Sequence, residues 1–339
     1  MVRKRIEWVD MLKGLAIILV MLGHCTNHEY GNLSGGIHMW IYTFHMPLFF
    51  FLSGFVFSTH EENYKKFVVR KLKSIIIPMV CFNIIQIVFE VFYYMLLLHS
   101  EGYTVETQFK KLFETIGGGY LWFLPCLFIA ENIFYIIIKL LNKYNKSVII
   151  AISGLLYVIG VLYVNIVGIG IPWKVETALL IMPFFTLGYV AKSWEQKTTR
   201  YSIYITGISL VLNIIFGLIN YVISDNTYVD LRIDEIGNPF LFLISAFCGI
   251  LAFYFAFRCL EEIKALSYIG RNSIIFYGLN YMSVFLPNIL IYQVFHTDFI
   301  ILGDIGIIVA IGYAFLQCLV IWPFAEFINR KCKFVVGKF

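Results

Sequence analysis

The sequence predicts an all-α polytopic membrane protein with about ten transmembrane helices. The first observation is the composition, since 60% of the 339 residues are hydrophobic, 14% are charged and the mean hydropathy is +0.81. Soluble globular proteins are roughly half apolar and about a quarter charged. The second is an aromatic content of 18%, because Trp and Tyr concentrate where membrane helices meet the headgroups. These values exclude an ordinary soluble enzyme, a disordered chain and a nucleic-acid-binding protein.

The third observation is the length of the apolar runs. A helix needs roughly 20 mostly apolar residues to cross the hydrocarbon core of a bilayer. Ten runs are close to that length: 9–28, 38–59, 74–98, 119–142, 147–168, 175–193, 202–223, 238–258, 270–294 and 299–327. Because no long polar stretch separates them, we expect one integral-membrane domain over 1–339 and no separate soluble domain. Asp10 and Lys13 inside the first run argue against a cleavable signal peptide.

The charges of the connecting loops predict the orientation. Lys and Arg concentrate at the N-terminus, in the loops after even-numbered spans and in the C-terminal tail, whereas the loops after odd-numbered spans are poor in cations or acidic. Cationic loops stay in the cytoplasm. We therefore expect a multi-pass protein of the plasma or inner membrane with both termini cytoplasmic. Lys110, Lys111 and Arg232 are exceptions to the pattern.

The seven cysteines are scattered, and no pair has C-x-x-C spacing. An odd, dispersed set predicts neither a disulfide framework nor a zinc site, and we expect no metal.

Ionisable residues inside a span are costly and usually face a cavity or a partner. The first span holds Asp10, Lys13 and His24. Lys13 and His24 are eleven residues apart, which places them on nearly the same helix face and about 16 Å apart along the axis. One interpretation is a functional stripe. The other is that Lys13 extends to the inner surface beside Asp10, with His24 as an interfacial residue.

The second span holds another histidine, followed closely by a proline. His45 should lie at a depth comparable to that of His24, and Pro47 should kink the helix. Ser53 and Gly54 favour close helix packing. In the next loop Arg70 and Lys73 share a helix face. They are either an ordinary cytoplasmic anchor or a clamp for a phosphorylated ligand.

Polar residues in later spans are candidates for a binding site or for hydrogen bonds between helices. They include Trp122, Glu131, Tyr277 and Asn280.

The run from Trp8 to Ile17 followed by His24, together with the run from Phe44 to Phe55, resembles the membrane-bound acyltransferase 3 family, and in particular its fucose 4-O-acetylase-like group. The motifs of that family fall on a small set of positions here: Lys13 and His24 for basic-x10-His, Arg70 and Lys73 for R-x-x-R, Trp122 to Leu124 for Trp-Phe-Leu, and Gly270, Ser273, Tyr277 and Asn280 for Gly-x-x-Ser-x-x-x-Tyr-x-x-His. Three positions depart from the family. Lys13 and Lys73 replace arginine and lose its bidentate fork, and Asn280 replaces a histidine and cannot titrate.

The resemblance implies an O-acyltransferase that moves an acyl group, usually acetyl, from cytoplasmic acetyl-CoA to a hydroxyl of a cell-surface or lipid-linked carbohydrate. His24 would be the general base or the acyl carrier, and His45 would orient the acceptor. Lys13, Arg70 and Lys73 would bind the donor. The expected contacts with substrate are Asp10, Trp122, Glu131, Tyr277 and Asn280.

The expected partners are acyl-CoA, a carbohydrate or glycolipid acceptor and membrane lipid, with no nucleic acid; the oligomeric state stays open. A transporter or flippase of glycan or lipid is the alternative function. Against it, the polar residues cluster in the first two spans and do not recur symmetrically in two halves.

Overall fold

The computed structural model describes residues 5–26, 33–59, 63–92, 121–141, 145–194, 201–283 and 306–338. Within these ranges the regular structure is helical, apart from one isolated antiparallel bridge between Asp230 and Glu235. The predicted all-α class is confirmed. In chain order the α-helices are α1 Glu7–Cys25, α2 Leu33–Tyr42, α3 His45–Val56, α4 Tyr64–Lys71, α5 Ile77–Phe92, α6 Phe123–Leu140, α7 Lys146–Ile166, α8 Val175–Leu180, α9 Met182–Ala191, α10 Ser202–Ile223, α11 Pro239–Phe257, α12 Lys264–Arg271, α13 over 273–283, and α14 Gly306–Lys331.

Eight helical stretches in the described ranges are long and apolar enough to cross a membrane. A bent pair, Pro172–Leu180 and Met182–Trp194, forms a ninth with an angle of 62° between its halves. These nine match nine of the ten predicted runs. The remaining run, 270–294, includes α12 in part and α13, but its end lies outside the described residues.

Two of the spans are broken by features that the apolar runs do not reveal. The bent pair breaks at Ile181, and Pro183 opens the second half, where its missing N–H would have no partner in any case. The predicted kink at Pro47 is a break between α2 and α3, with Pro47 in the first turn of α3. There too the first N–H groups of a helix are without intrahelical partners.

Helix α3 lies at the centre of the bundle. Ten of its twelve residues are buried, as expected for a helix that is hydrophobic all round. Its first residue is His45, so the same apolar sequence that buries α3 carries an imidazole into the interior.

Glycines fix the helices that carry the histidines. A Cβ on Gly54 of α3 or on Gly188 of α9 would overlap a backbone carbonyl of the opposite helix. The same is true of Gly14 of α1 and Gly270 of α12. Small residues let helix backbones approach this closely. The packing role expected for Gly54 is confirmed.

Candidate active site

A cavity of about 290 Å³ lies at the end of the bundle where α1 ends and loop 224–238 begins to cover the helices. It brings together residues that are distant in the sequence. Its lining comes from α1, α2, α3, α5, the residues just before α6, loop 224–238 and α13: Val20, His24, Tyr42, His45, Met46, Gln86, Leu121, Trp122, Tyr228, Asp230, Leu231, Arg232, Tyr277, Gly278, Asn280 and Tyr281. Five of the ten predicted site residues are in this set, namely His24, His45, Trp122, Tyr277 and Asn280.

His24 lies in the last turn of α1 and exposes its side chain, although the residues before and after it are buried or half-buried. The exposure arises because the ring lines the cavity. Among the described residues the ring has no hydrogen-bond partner. Asp230 and Arg232 are within electrostatic range of it.

The surroundings of His45 fix which of its ring nitrogens carries the proton. It is buried, with 6% of its surface exposed, and its Nδ1 lies 2.8 Å from the carbonyl oxygen of Ile41. A carbonyl oxygen can only accept, so Nδ1 carries the proton and Nε2 of the neutral ring is the basic nitrogen. The two histidines therefore differ, since one has a fixed tautomer and the other does not.

Aromatic rings surround the histidines. The Tyr42 ring packs edge-on against His45 with 4.8 Å between centroids and against Tyr228 with 5.5 Å. A third histidine, His38, stacks on Tyr42 at 4.1 Å. Its Nδ1 lies 3.1 Å from the carbonyl oxygen of Gly23, which joins α2 to the turn that carries His24. His38 was not predicted, because its position next to Gly23 exists only in the folded chain.

Two amide side chains in the cavity wall each have an oxygen atom without a hydrogen-bond donor among the described residues. Gln86 Oε1 and Asn280 Oδ1 are buried and have no hydrogen-bond partner in the described part of the chain. The amide nitrogen of Gln86 is 3.0 Å from Glu90 Oε1, which fixes the orientation of that amide. An unpartnered buried acceptor costs free energy. Both oxygens are closed to solvent in this structure, so a ligand hydroxyl could donate to either one only after its amide turned towards the cavity. Gln86 was not predicted, since one Gln in an apolar helix carries no pattern.

Loop 224–238 supplies the rest of the wall. Asp230 Oδ1 accepts from the backbone N–H of Arg232 at 2.9 Å, and Arg232 Nη2 lies 3.4 Å from Asp230 Oδ2. Burial first, and then the negative charge of Asp230, raise the pKa of the Tyr228 hydroxyl, which remains a neutral donor. One feature of the sequence had marked this loop as unusual: Arg232 is a cation in a loop that the alternation of loop charges predicts to be poor in cations.

Arg70 and Lys73 lie in a different place. They line an open pocket of about 590 Å³ beside the π-helical turn Leu72–Ile76 that links α4 to α5. Within the described residues its lining holds four cations and no acid: Asn63, Lys65, Lys66, Val69, Arg70, Lys73, Ser74 and Gly337. We call it the basic pocket. Its composition suits an anion with several charges, and π-helical turns are frequent at functional sites.

Asp10, Lys13 and Glu131 line neither the cavity nor the basic pocket. Glu131 Oε1 is 2.7 Å from Lys71 Nζ, with 6% and 13% of the two side chains exposed. Lys13 interacts electrostatically with Asp10, Lys71 and Glu131. The predicted roles of these three residues in binding donor or acceptor stay predictions. Glu131 is buried, whereas Asp10 and Lys13 are half-buried.

A polytopic helical protein with two unlike histidines in one cavity, and a cationic pocket elsewhere, has the parts of a membrane-bound transferase. The chain matches the sequence model of the acyltransferase domain of the acyltransferase 3 family over residues 6–326. It therefore belongs to this family, and is a multi-pass membrane acyltransferase. The likeness to the fucose 4-O-acetylase-like group stays a prediction. Neither the curated proteins nor the solved structures gave a match.

Proposed function

We propose that the protein transfers an acyl group, acetyl in the first place, from acyl-CoA to a hydroxyl of a cell-surface or lipid-linked carbohydrate. The observation that carries the proposal is the convergence of His24 and His45 from different helices on one cavity. An imidazole titrates near working pH and serves as base or nucleophile.

The donor belongs in the basic pocket. CoA carries several phosphate charges, and Lys65, Lys66, Arg70 and Lys73 supply cations with no competing acid among the described residues of the lining. Arginine can hold a phosphate through two parallel N–H groups, while lysine acts as a point charge. In this proposal the basic pocket faces the cytoplasm of a plasma or inner membrane, where acyl-CoA is made, and loop 224–238 faces outside. The acyl arm then extends along α1 towards His24, which is about 16 Å from Lys13 by helix rise.

The chemistry follows from the two rings. The acceptor oxygen attacks the thioester carbonyl carbon, and His24 takes the hydroxyl proton. The C–S bond breaks, the CoA sulfur leaves as a thiolate and takes up a proton, and an ester remains. In the two-step version a His24 nitrogen first attacks the thioester carbon and expels the thiolate. The hydroxyl oxygen then attacks the acyl carbon of the acyl-imidazole, the C–N bond breaks, and the freed imidazole takes up the hydroxyl proton. In both versions Nε2 of His45 accepts a hydrogen bond from the acceptor and orients it.

The direct test is the surface carbohydrate of cells with and without the protein, analysed for base-labile acyl esters. We expect the esters to disappear while the carbohydrate itself still reaches the surface. Carbohydrate retained inside the cell would instead support a transporter or flippase. Esters present in equal amount in both strains would contradict the proposed acceptor.

A further inference from the structure

The cavity wall is rich in groups that need hydrogen-bond donors. Gln86 Oε1 and Asn280 Oδ1 are buried without partners among the described residues, and the side chains of these two residues line the cavity. Only 5% of Gln86 and 7% of Asn280 is exposed. A ligand that supplied O–H groups to these oxygens, after the amides turned towards the cavity, would relieve the cost of leaving them unpartnered. The hydroxyls of any sugar ring can supply such protons, whereas a carboxylate or a phosphate dianion cannot.

The charged residues of the cavity wall also suit a ligand that carries hydroxyl groups. Asp230 and Arg232 lie side by side, so together they present no net charge, and the 3.4 Å contact uses one of the five N–H groups of the guanidinium. Each carboxylate oxygen of Asp230 has a second lone pair. The pair thus offers donors and acceptors at once, which matches neighbouring hydroxyls, because a hydroxyl both donates and accepts.

Two of the charged residues of loop 224–238 line the cavity, Asp230 and Arg232. The loop also contains Asp225, Asp234 and Glu235. Asp234 is neutralised by Lys174, whose Nζ lies 2.8 Å away. Asp225 and Glu235 are exposed and are outside the cavity lining. An anion in the cavity would therefore meet Arg232 already paired with Asp230, and the two together offer it no net positive charge.

The loop is built to hold this arrangement. Asp230 and Glu235 exchange two backbone hydrogen bonds, of 2.7 and 3.0 Å. Asp234, in the left-handed region with a φ of +61°, is anchored by both Lys174 and the Thr177 hydroxyl. Asn220 of α10 donates to the carbonyl of Ile236 at 3.0 Å. Left-handed non-glycine residues persist where the surroundings impose them, and they cluster at functional sites.

We propose that the cavity selects an uncharged polyhydroxyl acceptor, in which Asp230, Arg232, Gln86 and Asn280 bind hydroxyls that flank the one placed at His24 and His45. This inference rests on the proposed acyl transfer and specifies its acceptor class, a neutral sugar residue as opposed to a uronic acid or a sugar phosphate. Asp230 and Arg232 set the preference, and the two amides bind the neutral ring.

The test uses the full-length protein in nanodiscs with acetyl-CoA and matched acceptor pairs: the methyl glycosides of glucose, galactose and mannose, each beside its uronic acid. Ester formation is measured by mass spectrometry and thioester consumption by thiol release. We expect the neutral member of at least one pair to be acylated with a kcat/KM at least tenfold above its uronic acid. Equal or better use of the uronic acids would overturn the proposal. If the thioester were consumed but no acyl group reached either member of any pair, the proposed acceptor class would be contradicted. The proposed use of acyl-CoA as donor would still be supported. No thioester consumption at all would count against the proposed function.

Asp230→Asn removes the charge and keeps the shape. It should raise the KM for the neutral sugar several-fold with a smaller effect on kcat, and should shift the preference towards the uronic acid. A purely structural role for Asp230 would lower both activities in parallel and leave the ratio unchanged. Asp225→Asn is the matched control, since it makes the same charge change in the same loop at an exposed position outside the cavity lining. Its φ of +54° is one that asparagine tolerates.

If Asp230→Asn does not fold, Asn280→Ala tests the same proposal from α13. It should raise the KM for the neutral sugar without altering the dissociation constant of CoA. An unchanged KM in a folded Asn280→Ala protein would remove Asn280 from the acceptor site and contradict the hydrogen-bond argument.

Discussion

His24 and His45 share a cavity but not an environment. The Nδ1–H of His45 is committed to the Ile41 carbonyl, so this ring can act only through Nε2. His24 has no partner among the described residues, and in the proposed reaction its ring accepts a proton or bonds the acyl group. His24, which has no described partner, suits the role that changes during the reaction. His45, whose ring is fixed by Ile41, suits orientation of the acceptor.

The first prediction compares the three histidines at this end. His24→Ala should lower the rate of transfer by about 10²–10⁴-fold, the usual cost of losing a positioned base. His45→Ala should cost less if it only orients the acceptor. His38→Gln is the control, because His38 is outside the cavity lining and contacts the site through Gly23 and the rings of Tyr42 and Tyr228. The measurement is the initial rate of acyl transfer by each purified, folded variant. A dead His45→Ala beside an active His24→Ala would exchange the two roles.

A second prediction concerns the donor. Arg70→Ala should weaken CoA binding about tenfold or more, because a charge-assisted hydrogen bond contributes roughly 1.5–3 kcal/mol. Lys264→Ala removes an exposed cation that does not line the basic pocket, and CoA affinity should stay as in the parent. Titration calorimetry in nanodiscs gives both values. Unchanged affinity in Arg70→Ala would exclude this residue from the donor site.

A third prediction separates two roles for Glu131. If its ion pair with Lys71 is structural, Glu131→Leu should destabilise the protein by about 3–5 kcal/mol by leaving a buried charge alone, and adding Lys71→Met should restore much of the loss. Thermal unfolding in detergent measures this, with Lys139→Ala, exposed on the same helix, as the control. A raised KM without loss of stability would support the predicted contact with substrate.

At the scale of elements, the apolar runs located the spans well because length and hydropathy are local properties. They did not locate the break at Ile181, the π-helical turn at Leu72–Ile76 or the loop over the cavity. Each of these depends on contacts between distant segments. Lys174, for example, is opposed to Asp234 only after α8 and loop 224–238 meet. His24 and His45 were noticed because they lie inside spans, where a polar residue is conspicuous.

The same distinction explains which site residues were found. His24 and His45 stand out in runs of Leu, Ile and Phe. Tyr228 and Asp230 sit in a polar loop in which such residues are ordinary, so nothing in the local sequence marked them. Their importance follows from the cavity that the fold closes beneath them.

A fourth prediction tests the crossing of α3 and α9. Gly188→Ala would place a Cβ against the carbonyl of Phe51, and overpacking of this kind typically costs about 1–3 kcal/mol. Gly207→Ala in α10 is the control, because nothing lies within 4 Å of a Cβ there. That change should be neutral or stabilising by up to about 1 kcal/mol, the helix-propensity gain of alanine over glycine. Equal melting temperatures for both variants would show that the helices can separate without loss.

At the scale of the whole molecule, the helices sort into central and peripheral ones. In the 18-residue apolar segment of each helix, 72% of the residues of Leu33–Val56 are buried, against 22% for Lys146–Ile166 and for Ser202–Ile223. The poorly buried helices carry long apolar side chains on their exposed surfaces, as lipid contact requires. The buried stretch carries His45. Lipid-facing walls thus surround a core that holds His45, one of the two histidines of the proposed reaction.

The last prediction is the topology, on which the donor and acceptor assignments both depend. Cationic loops remain cytoplasmic, so Lys66→Cys in the basic pocket should react with a membrane-impermeant maleimide only after cells are permeabilised. Thr227→Cys, exposed in loop 224–238, should react in intact cells. Both variants need a background in which exposed Cys259 is replaced. Labelling of Lys66→Cys from outside would place the basic pocket where acyl-CoA is not made, and would refute the orientation and the donor assignment together. Labelling of Thr227→Cys alone places the cavity mouth on the side from which a surface carbohydrate can enter, so the acyl group must cross between the two sites inside the protein.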